Sequence, residues 1–572
     1  MKTNLFLLVL FACTSIVLAQ GHQVDGDLSS EWEATGFNNA RSIVRDADGY
    51  FHMVYHTQIN PDATPGGPCD IFYSHTILPA PPTSSMDWTP PFPIASMPED
   101  DRYPSIAIEH GSALNPSDDD TLHVVWQHKD DMSGVYDIWY VSCPNMQNPP
   151  PDAWGMPVPI YTSPRNSLVP DIDCSLGNLL HVVWQEEDYE GLYSEILYLM
   201  SPDHGISWTN LTDISQTPST NSQMPDVATV IDFMDPPSQF TYYSDQVHVV
   251  WNDDLASSPP NIYYRSSPDA GFSWNVSENV SIQSGSNSED GYPSLTVSRE
   301  DIPHVVWMHG VLPHDPDSPG PYKPGFDPTV PTSFPGPLAG MYAEITQEIR
   351  YSNRYGGVWI PFETVSSGMI DNEFPSIACD QFDMLHTAWQ AWDGMDYEIF
   401  QAHRIAVSPS WFGWENISMD VAHDDLFPSE ATKKAAMYTE GYDLVWTKID
   451  SNLDAGGHGP PAALSPAHEI WFSGNTSYMY VPIAGHDENE ANEDFFAESN
   501  PVRSGTWINT GNSSGNISIY DLSGRVVLER SIESEDGGFY WNVSSGLPAG
   551  AYSILFEKEG SRETSNVVVL GR

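Results

Sequence analysis

An all-β chain, folded as a seven-bladed β-propeller followed by a small C-terminal β-sandwich, is the architecture this 572-residue sequence predicts. Three observations predict it. A three-part phrase returns seven times: an aromatic-Pro-Ser/Asp opening, an apolar-His-Val-Val-Trp run and an acidic-Ile-aromatic-Tyr run. It reads most cleanly as Tyr103-Pro104-Ser105-Ile106, Leu122-His123-Val124-Val125-Trp126 and Asp137-Ile138-Trp139-Tyr140. Pro and Gly, 49 and 41 residues, mark a turn-dense chain. Aromatics at 12%, with 19 Trp and 27 Tyr, suit stacked sheets rather than helices. Units of short strands cannot bury their apolar faces alone and must stack on one another.

The elements follow in order. Inner strands open at Arg41-Ser42-Ile43, Tyr103-Pro104-Ser105, Val169-Pro170-Asp171, Met224-Pro225-Asp226, Tyr292-Pro293-Ser294, Phe374-Pro375-Ser376 and Phe427-Pro428-Ser429. Second strands begin at His52, His123, His181, His248, His304, His386 and Asp443. Third strands include Asp70-Ile71-Phe72-Tyr73, Glu195-Ile196-Leu197-Tyr198 and Glu469-Ile470-Trp471-Phe472. Trp88, Trp154, Trp208, Trp274, Trp359 and Trp414 mark fourth strands. Four short strands per unit and seven units give the propeller, residues 21–484. The repeated His is expected to hydrogen-bond between blades, and the Trp to pack one blade on the next.

Residues 1–20 read as a secretory leader, with Lys2, an apolar run from Leu5 to Leu18, and Leu18-Ala19-Gln20 as the cleavage region. No later stretch is long enough to span a bilayer. Cys69, Cys143, Cys174 and Cys379 lack metal-type spacing, and Cys174 and Cys379 occupy equivalent inner-strand positions as small buried hydrophobes. The net charge of −57 excludes a nucleic-acid partner, because no basic stripe exists to displace counterions from phosphate. It also argues against docking on an anionic membrane. Solubility in a salty exterior, or affinity for Ca²⁺ or neutral polyols, accounts for it.

Two turns narrow the reading. Ser201-Pro202-Asp203-His204-Gly205-Ile206-Ser207-Trp208 and Ser267-Pro268-Asp269-Ala270-Gly271-Phe272-Ser273-Trp274 resemble the Asp-box (BNR repeat) of sialidase-like propellers. In such a turn Asp caps backbone N–H groups, Gly takes positive φ and Trp anchors the hairpin. The resemblance implies a structural turn away from the active face. It does not carry catalytic residues over: Arg41, Arg102 and Arg165 stand at loops leading into the first three units, but no Phe/Tyr-Arg-Ile-Pro motif occurs. Residues 485–496 are an acidic linker. Residues 497–572, with Asn500-Pro501, Ile517 to Val527, Leu547-Pro548-Ala549-Gly550-Ala551-Tyr552 and the ending Val567 to Arg572, resemble the C-terminal (Por) sorting domain of type IX secretion cargo. That resemblance implies a β-sandwich export signal and a protein released from, or held on, the outer surface of a didermic bacterium.

Chemistry is sought where loops into first strands and out of second strands converge on one face. Candidate ligand-binding residues there are Asp101, Arg102, Asp130, Asp131, Arg165, Glu186, Glu187, Asp253, Asp254, Asp290, Asp371, Asp393 and Asp425, with Tyr322 in the long loop of the fifth unit. Carboxylates gathered in this way raise one another's pKa unless a cation or donor relieves them. Three readings stand open: a solvated rim, a Ca²⁺ or polyol site, and a glycosidase acid/base pair. Asp171 and Asp226, just past Pro in adjacent blades, are the pair to test for catalysis. The expected partners are the type IX machinery and a glycan or protein ligand, with the chain a monomer. The function expected is an exported propeller that binds glycan or protein without chemistry, the alternative being a secreted glycoside hydrolase using face carboxylates.

Overall fold

The computed structural model describes the strands and most turns from His22 to Gly474 and the strands from Phe496 to Val569; residues 1–21, 25–33, 59–67, 110–120, 231–245, 312–346, 432–441, 451–467 and 475–495, with several shorter connections, lie outside the described residues. The leader, the linker, Asp131, Tyr322 and the side chain of Asp371 therefore fall outside the description. Seven four-stranded antiparallel sheets succeed one another as the blades of a propeller. Their inner strands are Ile43–Arg45, Asp101–Ile108, Ser167–Ser175, Ser222–Thr229, Glu289–Val297, Ile370–Cys379 and His423–Glu430. The His-Val-Val-Trp runs are second strands with both faces between blades, so Trp126, Trp184, Trp251, Trp307, Trp389 and Trp446 are at most 1% exposed.

The seventh blade is completed from the other end of the chain. Its outermost strand is His22–Gln23, with His22 opposite Phe472 and Gln23 opposite Trp471. The N–H of Val24 donates to the Ile470 carbonyl at 2.7 Å. Six Trp-marked fourth strands left one unassigned, and this two-residue strand is the answer.

One irregularity recurs in six inner strands. Between Arg102 and Ser105 the pairing with the second strand slips by one residue, and the slip returns at Leu168/Asp171, Gln223/Asp226, Gly291/Ser294, Glu373/Ser376 and Leu426/Ser429. The residue before each Pro takes left-handed φ: Tyr103 at 53°, Val169 at 44°, Met224 at 53°, Tyr292 at 52°, Phe374 at 48° and Phe427 at 55°. A residue before proline ordinarily stays extended, and a left-handed one costs of order 1–3 kcal/mol. Burying each side chain returns about 1.5–3 kcal/mol, and the bulge is what turns those side chains to the axis, so packing carries the strain.

The chain divides into two compact units, the larger running to Tyr478 apart from Arg404–Phe412, the smaller from Met479 to Arg572 with that segment. Within the smaller, one sheet joins Phe496–Ala497, Gly505–Asn509 and Gly538–Asn542, and another orders Val526–Ile532, Gly515–Asp521, Gly550–Lys558 and Ser561–Val569. Ile508, Ile517, Ile519, Ile554, Phe556 and Trp541 make its core.

Candidate functional site

The propeller axis is closed in layers. The six left-handed side chains meet in one apolar cluster, with Tyr292 and Phe374 rings 4.8 Å apart and Phe374 and Phe427 5.1 Å apart. None of the six is more than 8% exposed. Side chains one blade back satisfy the strained backbone: Gln127 Oε1 accepts the N–H of Val169, and Gln390 Oε1 that of Phe427, each at 3.0 Å.

Beneath lies a ring of polar side chains, each accepting an N–H from the next blade. Ser105 accepts from Ile172 at 3.4 Å, Asp171 from Val227 at 2.9 Å and Asp226 from Leu295 at 2.8 Å. Ser294 accepts from Ile377 at 3.3 Å, Ser376 from Glu430 at 3.0 Å and Ser429 from Ser42 at 3.0 Å. The first blade supplies Arg41, which has no side-chain acceptor, and its carbonyl takes the N–H of Ile106 at 2.8 Å instead. The Arg41 guanidinium crosses the axis to the carbonyls of Ile377 (2.9 Å) and Leu295, and its Nη2 lies 3.7 Å from Asp226 Oδ2. The adjoining cavity, lined by Arg41, Asp173, Thr229 and Thr296, measures about 10 Å³, room for about one water.

This arrangement corrects the expectation for Asp171 and Asp226. Both are 0% exposed and lie among polar groups of the axis rather than in an open cleft. Their pKa values are raised, first by burial and, for Asp226, also by Asp171, while Arg41 pulls both down.

The expected acidic rim is corrected at five further positions. Asp101 Oδ1 accepts the indole N–H of Trp126 at 2.6 Å and meets His128 Nδ1 at 2.7 Å. Asp290 repeats this with Trp307 at 3.0 Å and His309 at 2.6 Å, and Asp425 with Trp446 at 2.6 Å. In the third blade the carboxylate moves to the second strand: Glu186 takes Trp184 at 3.2 Å and the Ser167 hydroxyl at 2.6 Å. In the fourth, Asp253 takes the hydroxyls of Ser222 (2.9 Å) and Thr217 (3.0 Å). All five are at most 2% exposed. In the sixth blade Asn372 serves Trp389 at 3.0 Å. The acid stands three residues before Pro or two after Trp, a pairing of positions legible in the repeat, and it serves buried donors. Burial raises the Asp101 carboxyl despite its hydrogen bonds from His128 and Trp126.

Arg102 is also buried, its Nε 2.9 Å from Asp100, which further accepts Tyr136 Oη at 2.9 Å and the N–H of Cys69 at 3.0 Å. What remains accessible on this face is mixed. Asp393 is exposed, and Trp392, Asp130, Arg165, Glu187 and Asp254 are half-buried. Asp130 Oδ1 accepts the N–H groups of Met132 and Ser133 at 2.8 and 2.7 Å, which holds its pKa below the ordinary value. Glu187 takes Asn166 Nδ2 and Asp254 takes Asn221 Nδ2, each at 2.8 Å. Asp393, Asp396 and Glu398 bring carboxylate oxygens within 4.8 Å of one another, the one group among the described residues with spacing suited to a metal ion. Trp392 and Asp396 are not marked by the sequence, because the repeat alone does not show which loop residues converge.

The two Ser-x-Asp-x-Gly turns are clamps between blades. Asp203 Oδ1 accepts the Ser207 N–H at 2.7 Å, Ser201 Oγ accepts the Gly205 N–H at 2.8 Å, and Asp269, Ser273, Ser267 and Gly271 repeat both bonds at 2.7 Å. Trp208 and Trp274 stack edge-on against Tyr140 and Tyr198 of the preceding blades, at 5.2 and 4.9 Å. The His of each second strand bonds within its own blade, as His123 Nδ1 does with Tyr140 Oη at 2.7 Å. The Tyr then reaches across, Tyr140 Oη donating to the His204 carbonyl at 3.4 Å. The expected interblade bond of the His is direct at His248, whose Nε2 lies 3.1 Å from Asp301 Oδ1 of the next blade, and is relayed through Tyr at His123 and His181. All four cysteines of the propeller are buried.

Fold and tail together define an exported seven-bladed β-propeller. Residues 500–570 match the model of the secretion system C-terminal sorting domain, which makes this a secreted or outer-surface protein handled by the type IX machinery. Among the described residues no helix is long and apolar enough to cross a membrane. No curated protein matches the chain. Among solved structures it is similar to the Hadza microbial sialidase Hz136, with 12% identity, 65% of this chain and 66% of that one covered, and a TM-score of 0.36. It is similar to the GH93 α-L-arabinofuranosidase of Fusarium graminearum, solved with arabinobiose, at 13% identity, 65% and 92% coverage and a TM-score of 0.38. For the polysaccharide lyase Uly1 the values are 8%, 80% and 98%, and 0.41. At such scores the likeness carries no argument about ligand or chemistry.

Proposed function

We propose that this is a non-catalytic binding protein of the cell exterior, holding a glycan or protein ligand on the face where loops into first strands and out of second strands gather. The carrying observation is the commitment of the candidate carboxylates. Asp171 and Asp226 are buried against Arg41, and Asp101, Asp290, Asp425, Glu186 and Asp253 each serve buried donors. A glycosidase pair requires two carboxyl groups about 5 to 9.5 Å apart flanking an accessible bond, and the burial of this set weighs against that role. Trp392 with Asp393, and Arg165 with Glu187 and Asp254, offer the aromatic surface and mixed polar groups that suit recognition.

The test is a glycan-array screen of the purified full chain with Ca²⁺ and with chelator, each bound glycan being examined for cleavage. Binding without turnover is expected. Dependence on Ca²⁺ that is lost in Asp393→Asn would assign the ligand to the sixth blade. Cleavage of a bound glycan would overturn the reading.

A further inference from the structure

We propose that Asp171 and Asp226 share a single proton at neutral pH, and that this proton makes the propeller axis a pH-sensitive lock. The geometry leaves little alternative. Asp171 Oδ1 accepts the Ser105 hydroxyl at 2.7 Å and Oδ2 the Val227 N–H at 2.9 Å. Asp226 Oδ2 accepts the Leu295 N–H at 2.8 Å and faces Arg41 at 3.7 Å. Asp226 Oδ1 is buried with no donor aimed at it, while the Asp171 carboxyl is within hydrogen-bonding reach. Two ionised carboxylates would oppose one guanidinium in a site where both aspartates are 0% exposed. A proton on Asp226 Oδ1, donated toward Asp171, satisfies that oxygen and leaves one negative charge against Arg41.

The charged groups bearing on the pair are Arg41, from the first blade, and Asp173, two residues along from Asp171; Arg41 favours ionisation, and Asp173 opposes it for Asp171. A carboxyl held above its unfolded value binds its proton more tightly in the folded chain. Its contribution to stability is therefore complete at acid pH and is lost as pH rises through the raised value. The lock joins the third and fourth blades, and through Arg41 the first, fifth and sixth, so its loss at alkaline pH loosens the ring.

Asp226→Asn tests this in the full chain, because an amide N–H₂ donates to Asp171 as the shared proton does. The expected results are a protonated-carboxyl C=O band in the neutral-pH infrared spectrum of the natural protein, absent from the variant, and matching Tm at about pH 4, around the unfolded aspartate value. Near about pH 8 the variant should melt higher by roughly 2 °C or more. Asp226→Ser, which places the ring residue of four other blades there, should likewise lose the band and flatten the pH profile. The absence of the band from the natural protein, or parallel Tm profiles for natural protein and Asp226→Asn, would overturn the proposal. The absence of the band from the natural protein overturns the proposal even if a variant fails to fold, and Asp226→Ser supplies the assignment if Asp226→Asn does.

Discussion

The indole N–H of Trp126 donates to Asp101 at 2.6 Å, and the same carboxylate oxygen holds His128 at 2.7 Å. The largest buried side chain of the blade is thereby tied to the start of its inner strand. The bond recurs at Asp290 and Asp425, and it explains much of the acidity gathered on this face.

Asp101→Ala should leave the Trp126 N–H and His128 without their acceptor, at a cost of about 2–4 kcal/mol from two buried donors. Asp101→Asn should cost about half as much or less, since Asn372 fills the same role for Trp389. Chemical denaturation of the two variants would check the order, and equal losses would refute it.

Gly205→Ala and Gly271→Ala should each destabilise the propeller by more than the roughly 1 kcal/mol of a positive-φ glycine alone. Gly205 has φ 82° and Gly271 φ 89°, and an added Cβ would stand 2.0 Å from Tyr140 Oη and Tyr198 Oη respectively. Pairing Gly271→Ala with Tyr198→Ala should recover part of the difference in a double-mutant cycle. Strict additivity would mean the turn does not clamp the neighbouring blade.

Deleting His22–Val24 should unzip the seventh blade, because those residues supply its outer strand and the Val24 side chain is 3% exposed. Limited proteolysis should then cut first within the last blade, and the Tm should fall. An unchanged digestion pattern would show that ring closure does not need this strand.

Stability should rise with ionic strength. The net charge is −57, and the structure removes Arg41, Arg102, Arg404 and Lys448 from the surface, so few cations remain there to balance it. Salt shortens the reach of repulsion from about 10 Å at 0.1 M to about 3 Å at 1 M. Tm measured across that range should climb steadily, whereas a flat profile would mean that surface repulsion is not destabilising.

The sequence by itself determined the blade count, the identity of inner, second and third strands, and the export tail, because each is written in local periodicity. Alternation of apolar residues, Pro-marked openings and the Ser-x-Asp-x-Gly turns need no knowledge of distant contacts. Only the tertiary structure decided where the carboxylates point. The one-residue slips at Tyr103-Pro104 and its five equivalents rotate the start of those six inner strands, sending the residue before Pro to the axis and, in the second, fifth and seventh blades, the acid three places before Pro toward a Trp. Whether such a bulge forms depends on apolar partners arriving from six blades at once, in a cluster whose members run from Tyr103 to Phe427 in the chain. Arg41 shows the same limit: its place in the repeat marks a strand start, but its role as counter-ion to Asp226 exists only once the ring has closed.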